Sequence, residues 1–379
     1  MMVGTAEAVA QRFGPEYWRE HDENEAYPEA FIAALGEHGF FGVTVPEALG
    51  GSGQGLSELV LVMEALCRGG GGGGPALGYL FGLLGTMTLA HAAESERQLD
   101  DLRALAGGEK LCAFALSEPD AGTNSFNIST TAIERADDFV INGAKWFITN
   151  LQHSHCLLLV AQTRPLGSDV SSGLSLFLID LPSEALTFTP TPKHGFNYYK
   201  SNQLFIDNLV VPKSALMGEL GKGFASLAPT LNAERLLVAA GAVGTARLAL
   251  QAAVGYAKER KVFKAPIGSH QAIQHPLAAA HAQLEASWLM IAEAAALDDA
   301  GTSPERAAGM ANMAKYVAVE AAIQACYQSL QTYGGAGYAR EYHQERWWRE
   351  VQLFRLAPLT QQMTLNFIGQ HVLGLPKSY

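Results

Sequence analysis

The sequence predicts an α+β chain in three parts: an N-terminal helical domain over 1–110, a middle β-sandwich or barrel domain over 111–218, and a C-terminal four-helix bundle over 219–379. Three observations carry this. Apolar residues recur at helical spacing from Ala6 to about Gly107. Short apolar runs bounded by polar turns follow from about Leu111 to Leu216. Long helical patterns with short connections resume after Gly221-Lys222-Gly223-Phe224. At 379 residues and 48% apolar, the chain can bury a large core and build two or three domains.

In the first part, Pro28 to Leu35 keeps one apolar face and runs to a break at Gly36. Phe40 to Pro46 reads as a short extended piece, and Leu49-Gly50-Gly51-Ser52-Gly53 as a loop before a helix from Leu56 to Cys67. Gly69 to Gly74, closed by Pro75, trivially matches G-x-G-x-x-G, but no strand precedes it and no βαβ unit follows. It reads as a joint between helices, with helical pattern from Ala76 to Ala93 and a charged outer helix from Glu94 to Leu105. In the middle part, Cys156–Ala161, Leu174–Asp180 and Leu204–Pro212 are strand-like runs. Asp138 to Gly143 and Lys145 to Asn150 read as two strands joined by a tight turn, because Asn-Gly bounds the alternation. The last part reads as helices from Leu227 to Arg260, Gln271 to Ala300, Ser303 to Tyr333, and a final one into Val372.

A net charge of −11 argues against a nucleic-acid binder, though a few placed Arg or Lys residues can still hold an anionic cofactor. Cys67, Cys112, Cys156 and Cys326 have no zinc or C-x-x-C spacing and read as reduced thiols in a cytoplasmic protein. The N-terminus lacks a signal-type apolar run, and no uninterrupted apolar stretch reaches the ~20 residues of a membrane span. The eleven histidines show no ligand spacing, so no metal site is expected. Arg346 and Arg349 read as outer-helix salt-bridge residues, Trp347-Trp348 as packing anchors, and Tyr198 to Ser201 as a border of a substrate mouth.

The stretch Phe114 to Asn150 concentrates small, hydroxylated and turn-forming residues at Ser117-Glu118-Pro119-Asp120-Ala121-Gly122-Thr123, then continues to Lys145-Trp146-Phe147-Ile148-Thr149-Asn150. Such a loop held by strands can aim N–H groups and hydroxyls at a ligand. The two segments together resemble the acyl-CoA dehydrogenase family of flavoenzymes, and later motifs extend the likeness over nearly the whole chain. The resemblance implies that Phe114, Leu116 and Ser117 line the flavin of FAD, with Gly122 and Thr123 nearby. It implies that Phe147 stacks on the ring and Thr149 bonds close to its reactive nitrogen. Tyr256-Ala257-Lys258-Glu259-Arg260-Lys261-Val262-Phe263 with Gln271 resembles the family segment whose Arg260, Phe263 and Gln271 would contact the FAD of a neighbouring subunit. Gln331-Thr332-Tyr333-Gly334-Gly335 resembles its Q-x-x-G-G motif, placing Gln331, Gly334 and Gly335 by the dinucleotide, while Thr360 and Gln362 would touch the adenylate half. A shared site implies a homotetramer of paired dimers, and the family implies an electron acceptor such as an electron-transfer flavoprotein.

Glu234-Arg235 stands near the start of an apolar helix, where a charged pair is costly unless satisfied or used. By composition alone it reads as a helix-start carboxylate beside a surface salt bridge. The resemblance makes Glu234 the base that removes the α-proton of an acyl thioester, in the placement of isovaleryl-CoA dehydrogenases, with Thr123 and Arg235 on the substrate side. The family's commoner base position falls on Pro358, which can neither act as a base nor donate an N–H to the thioester carbonyl. A short or branched acyl-CoA is therefore expected. The alternatives are an acyl group on a carrier protein, or a flavin monooxygenase or nitroalkane-oxidase-like enzyme on the same fold.

Overall fold

The computed structural model describes residues 2–125, 127–164 and 173–377. The N-terminal part is built from α1 (Met2–Arg12), α2 (Pro15–Asn24), α3 (Glu29–Glu37), α4 (Leu56–Leu66), α5 (Gly73–Ala92) and α6 (Glu96–Ala106). The helix α6 starts on a capping box in which Ser95 and Gln98 satisfy each other's backbone N–H. Phe40 to Pro46 is not extended. It forms a tight 3₁₀ turn over Phe40–Gly42 and folds back so that Ser52 N–H reaches Gly42 O at 2.9 Å and Gly53 N–H reaches Val45 O at 2.9 Å. Two consecutive buried phenylalanines favour a turn that seats both rings in the core, with Phe41 filling the notch left by Gly82.

The glycine run is a packed joint. Cys67–Gly71 makes one π-helical turn, Gly72 takes φ +65°, and α5 begins at Gly73, three residues before the apolar pattern resumes. A Cβ at Gly72 would lie 2.5 Å from Trp347 Cδ1, and one at Gly74 would lie 2.3 Å from Trp18 Cε3. The two tryptophans occupy the space that any side chain would need.

The middle part is one mixed eight-stranded sheet, β1 (Cys112–Ala115), β2 (Thr131–Glu134), β3 (Asp138–Thr149), β4 (Cys156–Gln162), β5 (Leu174–Asp180), β6 (Leu186–Pro190), β7 (Ser201–Pro212) and β8 (Leu216–Met217). Its order is β6-β7-β3-β2-β4-β5-β8, with β1 parallel to β4. Ala113, Leu157, Leu159 and Phe177 face a core inside the sheet, whereas Cys112, Leu158, Val160 and Leu176 face Leu89, Leu102 and Leu105 of the helices. Burial on both faces explains why β4 and β5 are continuously apolar. The Asn-Gly pair does not make a hairpin. β3 runs straight through it as a single strand, with a bulge against β7 between Ile141 and Gly143. A Cβ at Gly143 would come within 2.4 Å of Thr130 Oγ1, so glycine lets β2 approach here.

The C-terminal part packs α7 (Gly223–Glu259), α8 (Gln271–Asp299) and α9 (Pro304–Tyr333) with a broken fourth element: α10 (Gln344–Val351), α11 (Leu353–Leu356) and α12 (Gln361–Phe367), ending in a π-turn over Ile368–Val372. The final helix read from the sequence is therefore interrupted, and Pro358 lies in the break. By length and composition α7 is apolar enough to cross a membrane, although Arg247 interrupts its apolar run. Its most apolar 18-residue window is 72% buried inside the protein, and Arg247 is neutralised by Glu64 and Glu285, each at 2.8 Å. Gly241 and Gly244 bring α7 against Ala76 and Glu64, so the first and last parts share one core. Asp299 at the end of α8 accepts from Leu56 N–H (2.6 Å) and Ser57 N–H (2.9 Å), capping α4 across the same boundary.

Candidate active site

The loop after β1 is built around a buried ion pair. Glu118 accepts from Lys145 Nζ (2.9 Å), Ser129 N–H (2.6 Å), Ser129 Oγ (2.7 Å) and Thr130 N–H (3.0 Å), and Lys145 also donates to Leu116 O at 3.0 Å. Burial opposes the charge on Glu118, but Lys145 and the surrounding donors outweigh it and hold the carboxyl down at about 2. Burial pulls Lys145 down to about 8, with Glu118 opposing. Four donors on one carboxylate favour the ionised pair, and we take that state as the working one. Trp146 N–H to Ser117 O at 2.9 Å ties the loop to β3 again. Neither partner is marked in the sequence: Glu118 sits among Ser117, Pro119 and Asp120, and Lys145 lies 27 residues further on.

These ties place Leu116 and Ser117 beside the end of β3, where a second bulge between Lys145 and Ile148 turns Phe147 outward at φ +61°. Phe147 is 55% exposed and stacks on Trp146, centroids 4.6 Å apart, so a flat aromatic face stands open at the surface. Thr149 is buried, with its hydroxyl 3.0 Å from Ser201 Oγ, and the neighbouring Asn150 Oδ1 is a buried acceptor that lacks a partner. A Cβ at Gly122 would meet only open space, and Thr123 is exposed. Half-buried Phe114, Leu116 and Leu231 pack on the same cluster, which joins this corner to the first third of α7.

Glu234 lies on α7 one turn beyond that contact. It is 7% exposed, and burial pushes its carboxyl up to about 7, opposed by neighbouring Arg235. Arg235 bonds Asn232 and is half-buried instead of forming a surface salt bridge. One turn earlier, Thr230 meets Thr88 of α5 at 3.1 Å. A buried carboxyl held near neutrality without a bonded cation is suited to accept a proton. Nearby, Lys315 of α9 is fully buried and donates to Leu359 O. Burial pulls it down to about 8, with Glu320 opposing and Arg235 adding to the fall.

The remaining residues form a second station. Arg260 ends α7 and is exposed; Phe263 follows at φ +52° and is 90% exposed in the turn between β9 (Lys261–Val262) and β10 (Ala265–Pro266). Gln271 opens α8, and Gln331, bonded to Tyr327 at 3.1 Å, lines a cavity of about 310 Å³ with Ile273, Pro276 and Thr332. Gly334 takes φ +60°, and neither it nor Gly335 has anything within 4 Å of a Cβ position. Arg260 is 26 residues beyond Glu234, so it lies ~39 Å away along the helix. Thr360 caps α12 through Met363 N–H, and Gln362 is exposed beside it. Tyr198 and Tyr199 border no mouth. Both are buried, bonding Glu350 Oε1 (2.9 Å) and Gly74 O (3.2 Å). Arg346 is likewise buried against Glu350 at 3.2 Å and is not an outer-helix residue.

An open aromatic face, an unpartnered buried acceptor and three glycines facing free space fit a planar cofactor with a dinucleotide tail. Residues 1–109, 113–209 and 221–373 match the acyl-CoA dehydrogenase N-terminal, middle and C-terminal domains respectively. The acyl-CoA dehydrogenase FadE12 of Mycobacterium tuberculosis is 36% identical over 370 residues, 97% of this chain and 94% of that protein. Caffeyl-CoA reductase-Etf complex subunit CarC of Acetobacterium woodii is 34% identical over 345 residues, 91% and 89% of the two chains. Among solved structures, butyryl-CoA dehydrogenase from Megasphaera elsdenii superposes with TM-score 0.92 at 28% identity, covering 98% of this chain and 97% of that one. PigA with FAD and proline does so with TM-score 0.92 at 26% identity, covering 99% and 97%. The chain belongs to the acyl-CoA dehydrogenase family: it is a flavin oxidoreductase that acts on CH–CH bonds and takes FAD as its cofactor.

Proposed function

We propose that the substrate is a short or branched acyl-CoA and that Glu234 is the base that removes its α-proton. The single observation behind this is a buried carboxyl held at about 7 on the helix face that packs against the Phe114–Leu116 corner. Bound FAD supplies the acceptor for hydride from the β-carbon. The chain's own residues exclude water around Glu234, hold its proton affinity near neutrality and shape the loop at Glu118. Phe114, Leu116, Ser117, Gly122, Thr123, Phe147 and Thr149 would hold the flavin half. Arg260, Phe263, Gln271, Gln331, Gly334, Gly335, Thr360 and Gln362 would hold the remainder, some of them from a neighbouring subunit. Thr123 and Arg235 would face the substrate.

Exposed Phe263 and Leu356, and the ~39 Å between Glu234 and Arg260, support a homotetramer built of paired dimers. Electron transfer to an electron-transfer flavoprotein is supported by the likeness to CarC, a subunit of a caffeyl-CoA reductase-Etf complex. Four free, buried cysteines support a cytoplasmic location. A second reading, an acyl group carried on a protein, is favoured by Pro358, where a backbone donor is missing.

An anaerobic visible spectrum of the FAD-loaded protein, titrated with isovaleryl-, butyryl- and octanoyl-CoA, tests these readings. Bleaching by the shorter or branched chain, slowed on the order of 10³-fold in Glu234→Gln with FAD content unchanged, is the expected result. A flavin that none of the three bleaches transfers the assignment to a carrier-bound substrate.

A further inference from the structure

Between α11 and α12 the chain turns through Ala357-Pro358-Leu359-Thr360, and α9 holds both sides of that turn. Lys315 Nζ donates to Leu359 O at 2.8 Å and to Gln361 Oε1 at 3.1 Å. Gln361 Nε2 donates to Glu320 Oε1 at 2.9 Å, and Glu320 holds Arg355 on the near side. Lys315 and Arg235 lie close enough for their charges to act on each other, so this clamp stands beside the turn of α7 that carries Glu234.

The peptide joining Leu359 to Thr360 is trans and planar, so its N–H points opposite to its C=O. With Leu359 O fixed on Lys315, the Thr360 N–H is directed away from α9. Among the described residues it has no hydrogen-bond acceptor, while the Thr360 hydroxyl is occupied in capping Met363 N–H. Two residues earlier, Pro358 has no N–H to offer. Building on the acyl-thioester reading, we propose that the Thr360 N–H polarises the substrate carbonyl in place of the missing donor at 358, and that Lys315 is the positioning residue that aims it. As Glu234 takes the α-proton, the electron pair of that C–H bond forms a double bond to the carbonyl carbon, the C=O π pair moves onto oxygen, and a fixed N–H stabilises the charge that develops there.

The test separates proton removal from hydride loss. Acetyl-CoA and phenylacetyl-CoA have α-protons but no β-C–H bond, so their α-exchange into D₂O on the FAD-loaded enzyme, read by NMR, reports enolisation alone. Thr360 has φ −63°, which proline can adopt, so Thr360→Pro removes the N–H while Thr360→Ala keeps it. We expect exchange on the order of 100-fold slower in Thr360→Pro than in Thr360→Ala, and a comparable loss in Lys315→Met. Pro358→Ala, which returns an N–H to the turn, should recover at least about tenfold in either slowed variant and change the parent by less than about threefold. A purely structural role would lower FAD content or Tm but would give no such rescue. Equal exchange in Thr360→Pro and Thr360→Ala overturns the proposal and leaves the dehydrogenase reading intact. A parent enzyme that neither exchanges nor is bleached by any acyl-CoA overturns both.

Discussion

The two ends of α7 are opposites. At Glu234 the helix is sheathed by α5, the β1 corner and α9, and the carboxyl is 7% exposed. At Arg260 the same helix runs out into solvent, and the next aromatic, Phe263, is 90% exposed. The first end is a finished environment that sets the proton affinity of a single group. The second offers a charged fork and a bare ring with nothing to enclose a ligand. On the function proposed above, one subunit carries its own acid–base group, and its cofactor site is completed by a neighbour. Dependence on pH should track the first end, and dependence on protein concentration the second.

The sharpest way to break this contrast is pH. Glu234 must be ionised to accept a proton, so flavin bleaching should rise through pH about 7 and fall about tenfold per unit below it; a flat profile from pH 5 to 9 would remove Glu234 from the role. The same shift acts on stability. Its folded value is raised, so the native state binds the extra proton between the unfolded carboxyl range and about 7, and stability falls as pH rises through that window. Glu234→Gln should therefore be more stable than the parent at pH 8, by up to about 3 kcal/mol, and equal to it at pH 4, in urea titrations.

Next in size is the ion pair under the loop. Glu118→Gln leaves a fully buried ammonium unpaired and should cost ~3–5 kcal/mol, whereas Glu118→Gln combined with Lys145→Met should recover most of it. Because the Glu118 carboxyl is held at about 2, the stability it contributes is present above the ordinary carboxylate range and lost as pH falls through about 2. Thermal melts of the parent and the two variants at pH 7 and pH 3 measure both effects. If Glu118→Gln melts with the parent, the pair does not organise the corner.

At the open end the effects should be smaller and of another kind. Arg260→Ala should weaken FAD about 10- to 100-fold, as expected for a charge-assisted bond, and leave the pH midpoint of bleaching at saturating FAD unchanged. Flavin occupancy should also fall on dilution if a second subunit completes the site, which equilibrium dialysis over a range of protein concentrations would show. Phe263→Ala should shift FAD affinity less than Arg260→Ala.

Much of the three-part order was legible because it rests on period: 3.6 in the helices and 2 in the strands. What misled was local chemistry with two structural outcomes. Asn142-Gly143 is as good a bulge as a turn, and only the approach of Thr130, just before β2 and 13 residues from Gly143, decides between them. Phe40-Phe41 alternates with nothing locally, and its turn is dictated by Tyr79 and Gly82 of another helix. Glu118 and Lys145 are separated by 27 residues and are individually ordinary, so their pairing is visible only once β1 and β3 are neighbours. Likewise Tyr198 and Tyr199 are polar-tipped residues in a polar stretch, yet their hydroxyls find Glu350 and Gly74 deep in the helical core. Glu234, by contrast, was singled out by the family resemblance; its composition alone fits a helix-start carboxylate, and its burial depends on packing that the local sequence does not display.

The glycine joint has one further consequence, for how the gene can vary. A homopolymeric tract is commonly free to lengthen or shorten, as a flexible linker would be. Here each residue added after the π-turn would rotate α5 by about 100° and advance it by about 1.5 Å. Thr88 would swing away from Thr230, and Gly82 and Gly85 would no longer face Phe41 and Cys112. The number of glycines is thus a phase setting for the helix that packs beside the Thr230–Glu234 turn, and a single-codon slip would be read out as a misaligned α5–α7 contact.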